Sequence, residues 1–499
     1  MSEKMNFLFI MTDQHRADCL SSYGHPILKT PNIDSIANGG VRFTNYFCNT
    51  PICMPNRANF FTGSYPSIHG VRSNGINLDP ARPVFSEMLR KKGYHTMTVG
   101  KHHFNYFSRS TRKDPSIEDL FKWLHGDLTS KDVPSPWYGF EDAILVIGHG
   151  DFMAGHYSEW VKEKGFDMHE YALSKPQALN ENYYQTSLSE DLYPTTYITD
   201  KTIEAIQQHA EGKNEDKPFF LHCSFPDPHH PACPPGKYKD MFKPEDIELP
   251  SNFGDANKLL DHEFLGPHIK DARFRQLLPQ MVDEQTAKEF TALTYGAIVM
   301  IDDGVGRILN ALEKSGLADN TMVMFTSDHG DYMGDHGVIL KGPAHYRGVI
   351  NMPLLWKVPG VTKTSVSDSL ICTVDLPRTI LPLLGVPERQ IPLTFQGVDV
   401  TSILKDPEAK VRDRILIEHD EELAADKIMR VHSLVTEQHR LTIYNEYETM
   451  GDLFDLENDP EEVNNLWDSD VNLRNNLVDK LLRETVKIRP RSPKRVAFN

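Results

Sequence analysis

Cysteine is scarce in this chain. Six occur in 499 residues, at positions 19, 48, 53, 223, 233 and 372, with no paired metal-ligand spacing and no dense disulfide pattern. That argues against a disulfide-stapled secreted scaffold and against a cysteine zinc cluster, and it fits a reducing cytoplasm. Long apolar runs are also missing. The early run MNFLFIM is short and passes straight into TDQHRAD without a small-residue cleavage site, so neither a signal peptide nor a membrane span is expected. Basic blocks are missing too: Lys+Arg number 53 against Asp+Glu 70, a formal charge of −17. Binding to a phosphate backbone needs a positive footprint, and none is supplied, so nucleic acid is not expected as a partner. No internal repeat or low-complexity tract is present.

What is present is enough apolar residue, 39% of the chain, for a large core and more than one structural unit. Two short, nearly continuous apolar runs, NFLFIMTD and NTMVMFTSDHG, read as buried parallel strands covered by helices on both faces. Each ends in an acid, Asp13 and Asp328. Ligands of open α/β sheets bind beyond the carboxyl ends of the strands, so these two carboxylates meet if the strands are neighbours. Before the second run, Ile298, Ile301, Val305, Ile308, Leu309 and Leu312 recur at helical spacing and Gly316 follows as a stop. Helix, turn and strand in that order make an α/β unit. Residues 104 to 200 loosen into aromatic, His- and Gly-rich sequence that reads as a long insertion over the sheet. After about residue 405, RILIEH, HSLVTEQHRLTIY and GDLFDLENDP alternate apolar and polar residues, and DVNLRNNLVDKLLRETVKI follows with a helical pattern. The expected organisation is an α/β domain over 1–405 with a smaller C-terminal antiparallel sheet plus helix, α+β, over 406–499.

The chemistry-bearing stretch is TPICMPNRANFFTGSYPSIHG. A lone cysteine is commonly a small buried hydrophobe, and Arg57 follows Cys53 too closely for the anion-cradling loop of a cysteine phosphatase. Cys53-Met54-Pro55-Asn56-Arg57, with Phe61-Thr62-Gly63 after it, resembles the Cys-x-Pro-x-Arg signature of the type I sulfatases. In that family the cysteine is oxidised to formylglycine, whose hydrate is the nucleophile. One hydroxyl takes the sulfuryl group and the other expels sulfate, regenerating the aldehyde, an exit that serine or a thiol lacks.

The resemblance continues along nearly the whole chain and implies a large mixed, mainly parallel sheet flanked by helices, of the alkaline phosphatase type. Asp13-Gln14 stands where many sulfatases have two aspartates that bind a divalent cation, and Asp328-His329 where they often have Asp-Asn. With Cys53, these positions form the implied metal site. Either pair alone would serve as a cap or turn. All-oxygen sites of the family usually carry calcium, whereas Gln14 and His329 lower the charge and soften the set toward manganese. The same Gln and His resemble the phosphonate monoester hydrolases of the superfamily. GYHTMTVGKHHF matches the Gly-Lys-x-His element and implies Lys101 and His103 on the ester oxygens. SFPDPHHPACPP resembles the Pro-His-x-Pro segment, with His229 aligned and His230 beside it. GDHGVILKGPAHYRG offers His336 and Lys341 where the family has a lysine at the leaving oxygen, and then Arg347, which either adds charge at the pocket mouth or pairs with a surface acid. GDLFDLENDPEEVNNL resembles the family's C-terminal hairpin.

Together these imply a hydrolase of sulfate esters, arylsulfatase-like, with Arg57, Lys101, His103, His229 and Lys341 making a positive pocket in an acidic protein. His229 or Lys341 would protonate the leaving oxygen, and Asp328 would take the nucleophile's proton. A phosphonate monoester or phosphodiester hydrolase using the same site is the enzymatic alternative, and a non-catalytic anion-binding protein that keeps Cys53 as a thiol is the alternative from another class. The expected partners are a small sulfate or phosphonate ester and a separate formylglycine-generating enzyme. A homo-oligomer is compatible with the sequence, which does not fix assembly. Phe104, Tyr106, Phe107, Trp137, Tyr138 and Phe225 are candidates for an aromatic pocket or for core.

Overall fold

A computed structural model describes residues 4–108, 115–174, 182–212, 217–270, 279–424, 427–445 and 449–488. Its centre is a nine-stranded sheet made of β1 (Asn6–Thr12), β2 (Val41–Phe43), β3 (His95–Gly100), β4 (Asp142–His149), β5 (Phe152–Gly155), β6 (Phe219–Ser224), β7 (Thr321–Ser327), β8 (Leu354–Lys357) and β9 (Ser365–Ser367). The spatial order is β9-β2-β8-β7-β1-β6-β3-β4-β5. Pairings from β7 across to β4 are parallel, and β8 and β5 run against their neighbours. The two apolar runs are therefore adjacent strands at the middle of a mixed, mainly parallel sheet.

Burial explains why these segments are strands. Every residue of β1 and β7 is buried, and side chains alternate across the sheet with a period of two. Phe7, Phe9 and Met11, with Met322 and Met324, enter one core, while Leu8, Ile10, Val323 and Phe325 enter the core on the opposite face. Each such side chain contributes roughly 1.5–3 kcal/mol by leaving water. The first core is closed by α1 (Cys53–Thr62), through Met54, Ala58, Phe60 and Phe61. The second is closed by α2 (Pro194–Ala210) and α3 (Glu284–Lys314), through Ile198, Ile206, Ile301, Val305, Ile308 and Leu312. The helix expected before β7 is thus present, with Gly316 two residues past its end at φ 70°.

The stretch from 104 to 200 differs from a simple cover over the sheet. Residues 109–114 and 175–181 of it lie outside the described residues. Asp142–His149 instead continues the sheet as β4, parallel to β3, and β5 turns back on it as the edge. The apolar ILVI run is strand-forming, and its surrounding glycines and histidines disguised it as loop. At the C-terminus, β10 (Ile415–Ala424), β11 (Lys427–Val435), β12 (His439–Tyr444) and β13 (Gly451–Asp455) form a four-stranded antiparallel sheet, followed by α4 (Val471–Lys487). Ile415, Ile417, Leu434, Leu441 and Leu453 join the same apolar cluster as α1 and β1. All six cysteines are free and buried. Among the described residues no helix is long and apolar enough to cross a membrane.

One buried acid gives a stability test. Burial pushes the Glu421 carboxyl on β10 up to about 8 from an ordinary 4.5, against the pull of Arg72. The folded state thus holds a proton that the unfolded chain releases, so stability is full below about pH 4.5 and falls as the pH rises toward 8, by about 1.4 kcal/mol per unit at most. Glu421→Gln is expected to flatten that part of the curve and to be more stable than the parent above pH 8. Chemical denaturation across pH 4 to 9 would show it; identical slopes would contradict the assignment.

Candidate active site

The site lies at the carboxyl ends of the central strands. Thr12 of β1 and Ser327 of β7 are register partners, so Asp13 and Asp328 leave the sheet side by side. The Asp328 amide donates to the Thr12 carbonyl at 3.2 Å, and the Gln14 amide donates to Asp328 Oδ1 at 3.1 Å. β3 ends at Gly100 and delivers Lys101, whose amide donates to the Ser224 carbonyl at 2.9 Å. Gly100 has φ 111°, and a Cβ there would lie 1.9 Å from the Ser224 carbonyl oxygen, so only glycine lets the two strand ends close up. From the other side α1 begins at Cys53 with its ten residues all buried. Its N-terminal end presents the positive pole of the helix to the strand-end carboxylates.

Around the Cys53 sulfur stand Lys341 Nζ at 3.0 Å, His329 Nε2 at 3.2 Å and Asp13 Oδ1 at 3.7 Å. Arg57, one turn along α1, donates through Nε to Asp328 Oδ2 at 2.7 Å and through Nη1 to the Lys101 carbonyl and Ser224 Oγ, both at 2.9 Å. Its Nη2 forms an ion pair at 3.6 Å with Asp13 Oδ2, the oxygen that accepts from Lys101 Nζ. Lys341 Nζ further meets His229 Nε2 at 2.7 Å and Gln14 Oε1 at 3.1 Å. The carboxylate within reach of the sulfur is Asp13, whereas Asp328 is engaged by Arg57 and by the amides of Gln14 and His329.

Charge is balanced locally. Burial alone would raise the Asp13 carboxyl, but Lys101, Arg57 and Lys341 hold it well below the usual carboxylate range. Burial and Asp13 oppose ionisation of the Cys53 thiol, and Lys341 and Lys101 bring it below its ordinary value. Burial, with His149 and Lys341 beside it, keeps the His229 imidazole well below its ordinary value.

The structure gathers Asp13, Gln14, Cys53, Arg57, Lys101, His229, Asp328, His329 and Lys341 in one place. His230 joins them, with Nδ1 3.2 Å from Gln14 Oε1. His103 lies alongside, stacked on Phe107 at 3.8 Å, its amide held by Glu118. His336 is elsewhere: its ring stacks on Tyr346 at 3.8 Å and its amide bonds Asn252. The Arg347 guanidinium lies apart from this cluster: it donates to Asn45 Oδ1 and the Thr44 carbonyl and lies over Phe47, with no acid paired to it among the described residues. Of the aromatic candidates, Phe107 reaches the site, with Lys101 Nζ 5.5 Å from its ring centre, while Phe104, Tyr106, Trp137 and Phe225 are buried in apolar clusters. Sequence reasoning missed His149, which ends β4 and approaches Lys101, and Asp331, which accepts from the Gln14 amide group. The His-Gly pair closing the ILVI strand was the available signal for the first. Asn56, where the type I sulfatase signature most often has serine, ties α1 to the Asp328 carbonyl.

Sheet order, strand-end acids and a helix-borne Cys-x-Pro-x-Arg together give the site of a hydrolase on a sheet of the alkaline phosphatase type. The sulfatase family model matches residues 5–386, and the model described as N-sulphoglucosamine sulphohydrolase, C-terminal, matches residues 334–489. An arylsulfatase of Clostridium perfringens is 30% identical over 483 residues, covering 94% of this chain and 91% of its own. The chain belongs to the sulfatase family, whose activity is the hydrolysis of sulfate esters and whose general equipment is a divalent metal ion and a formylglycine. Among solved structures, the phosphonate monoester hydrolase of Agrobacterium radiobacter has the same fold, with TM-score 0.79 and 24% identity over 98% of this chain and 97% of that one. So does a protein in complex with its substrate D-glucosamine-2-N,6-O-disulfate, with TM-score 0.71 and 22% identity over 98% and 100%.

The residues fit such a metal. Ligand atoms of Asp13, Cys53, Asp328 and His329 all lie within 4.8 Å of one another and all four residues are buried. His329 Nδ1 is 2.8 Å from the Gly330 carbonyl, so that nitrogen carries the hydrogen and Nε2 offers its lone pair to the cluster. His329→Ala is expected to lower the divalent metal retained through gel filtration by more than about tenfold, read by elemental analysis. Full retention would remove the imidazole from the ligand set.

Proposed function

We propose that this protein hydrolyses sulfate monoesters, aryl sulfates among them, with residue 53 as the nucleophile after conversion of Cys53 to formylglycine by a separate maturation enzyme. The observation that carries the proposal is the placement of the Cys53 side chain at the start of α1, within 3.0–3.7 Å of Lys341, His329 and Asp13. The arylsulfatase of Clostridium perfringens supports the substrate class.

Formylglycine supplies a hydrated aldehyde, one hydroxyl to accept the sulfuryl group and one to expel it. Asp13, Gln14, Asp328 and His329 would hold a divalent ion, which when bound would supply Lewis acidity toward an ester oxygen and the nucleophile. Gln14 lowers the charge of the set and the His329 nitrogen makes it softer than one of oxygens alone, which favours manganese over calcium. The chain's own groups do the rest. Asp13 accepts the proton of the attacking hydroxyl at the position now taken by Sγ. Arg57 fixes Asp328 and crosses to Lys101, so the two strand ends and α1 move as one unit. Lys101 and His103 face the ester oxygens from β3. Lys341, hydrogen-bonded to His229 Nε2 at 2.7 Å, stands beside the nucleophile with a proton to give to the departing oxygen.

A second reading rests on a specific feature. Gln14 is a neutral neighbour of Asp13 whose carbonyl accepts from Lys341, so the pocket carries less negative charge than a two-aspartate pair would give it. Sulfate monoesters, phosphonate monoesters and phosphodiesters are all monoanions of similar shape, so this lowered repulsion serves each of them and makes a phosphonate monoester or phosphodiester the rival substrate of the same pocket. The test is the ratio of kcat/KM for an aryl sulfate to that for an aryl phosphonate monoester on one matured preparation, with Cys53→Ala as blank. A ratio above one is expected. A ratio well below one overturns the sulfate reading in favour of the phosphonate.

A further inference from the structure

His149 has no part in the scheme above, yet the fold carries it into the pocket. It is the last residue of β4, which lies beside β3 with Leu145 opposite Gly100. Its Nε2 is 2.7 Å from Lys101 Nζ, and its ring stacks on that of His229 with centroids 3.8 Å apart and planes 17° from parallel. Phe107 and His103 flank it at 5.7 Å and 6.2 Å.

The hydrogen-bond inventory of the two lysines sets them apart. An ammonium has three donors and no acceptor. All three donors of Lys341 are used, on Gln14 Oε1, Cys53 Sγ and His229 Nε2. Lys101 Nζ donates to Asp13 Oδ2 and His149 Nε2; among the described residues it has no third hydrogen-bond acceptor, its remaining neighbour being the Phe107 ring with its centre 5.5 Å away. Since an ammonium only donates, His149 Nε2 is an acceptor and the imidazole is neutral with its hydrogen on Nδ1. Asp13, His149 and His229 themselves have ligand atoms within 4.8 Å of one another, and the Lys101 ammonium is the cation seated between the first two.

We propose that His149 is a positioning residue: by accepting one Lys101 hydrogen while Asp13 accepts another, it fixes the direction of the third, which points into the pocket at the ester's anionic oxygens. With Asp13 as the sole acceptor, the ammonium would rotate about a single strong ion pair, and its remaining hydrogens would have no fixed aim. This deepens the reading of Lys101 as a contact of the ester anion and rests on it. It holds equally for sulfate and phosphonate, because both present anionic oxygens to the same donor.

Two variants separate the acceptor from the stack. His149→Phe keeps a ring on His229 and removes the acceptor; His149→Gln returns an oxygen near the position of Nε2 and removes the ring. In matured, metal-loaded protein of unchanged Tm and metal content, His149→Phe is expected to lower kcat/KM for whichever ester the parent turns over by about ten- to a hundredfold. The loss should be carried mainly by KM, and inorganic sulfate binding, measured by calorimetry, should weaken at least about tenfold. His149→Gln is expected to recover most of both. Wild-type behaviour of His149→Phe, or equal impairment of the two variants, would overturn the proposal. The calorimetric arm does not depend on turnover: sulfate binding that follows the same order in a parent without esterase activity would sustain the role of His149 while sinking the hydrolase reading.

Discussion

The buried ion array at the ends of β1 and β7 is the constraint on which the site depends. Two carboxylates, Asp13 and Asp328, emerge side by side from adjacent parallel strands with no exposed surface. Leaving either unpaired in that setting would cost several kcal/mol. Arg57 spans both, Lys101 adds to Asp13, and Lys341 and His329 stand across the Cys53 sulfur. Because the guanidinium also holds the Lys101 carbonyl and Ser224 Oγ, a single side chain ties α1 to the ends of four strands, β1, β7, β3 and β6.

That arrangement explains how a protein of charge −17 offers an anion a favourable seat. The acidic excess lies elsewhere, while the pocket concentrates arginine, lysine and imidazole behind low-dielectric walls, where their field is strongest. Preorganisation matters as much as charge. Gly100 lets β3 and β6 close on each other, and the three imidazoles of His149, His229 and His230 stack face to face, with neighbouring centroids at 3.8 Å and 4.1 Å. Rings so placed have little freedom to follow a ligand, so the geometry must already suit it.

Much of this was legible in the sequence because it follows local rules. The apolar runs that became β1 and β7 ended in Asp13 and Asp328, and strand-end carboxylates of neighbouring parallel strands are brought together by register alone. Cys53 and Arg57 were legible as a signature, while the helix that puts these residues, four apart, on one face came from the structure. The C-terminal sheet showed its period of two. What escaped was set by distant pairing. β4 reads as loop because histidine and glycine surround a four-residue apolar run, and its place next to β3 comes from tertiary packing that no local pattern encodes. His149 was lost with it. His336 and Arg347 sit in a motif with Lys341 but diverge from it, because the backbone turns at Leu340 and His336, both at positive φ. Adjacency in sequence is a weak guide to adjacency in space.

The central claim is that residue 53, as formylglycine, performs the chemistry. It is tested most directly by preparing the protein with graded extents of conversion, measuring the aldehyde fraction at residue 53 by peptide mass spectrometry, and plotting sulfate ester turnover against it. The account predicts a straight line through the origin, with the unconverted thiol inactive. Turnover that persists at zero aldehyde, or that is independent of the aldehyde fraction, would contradict it.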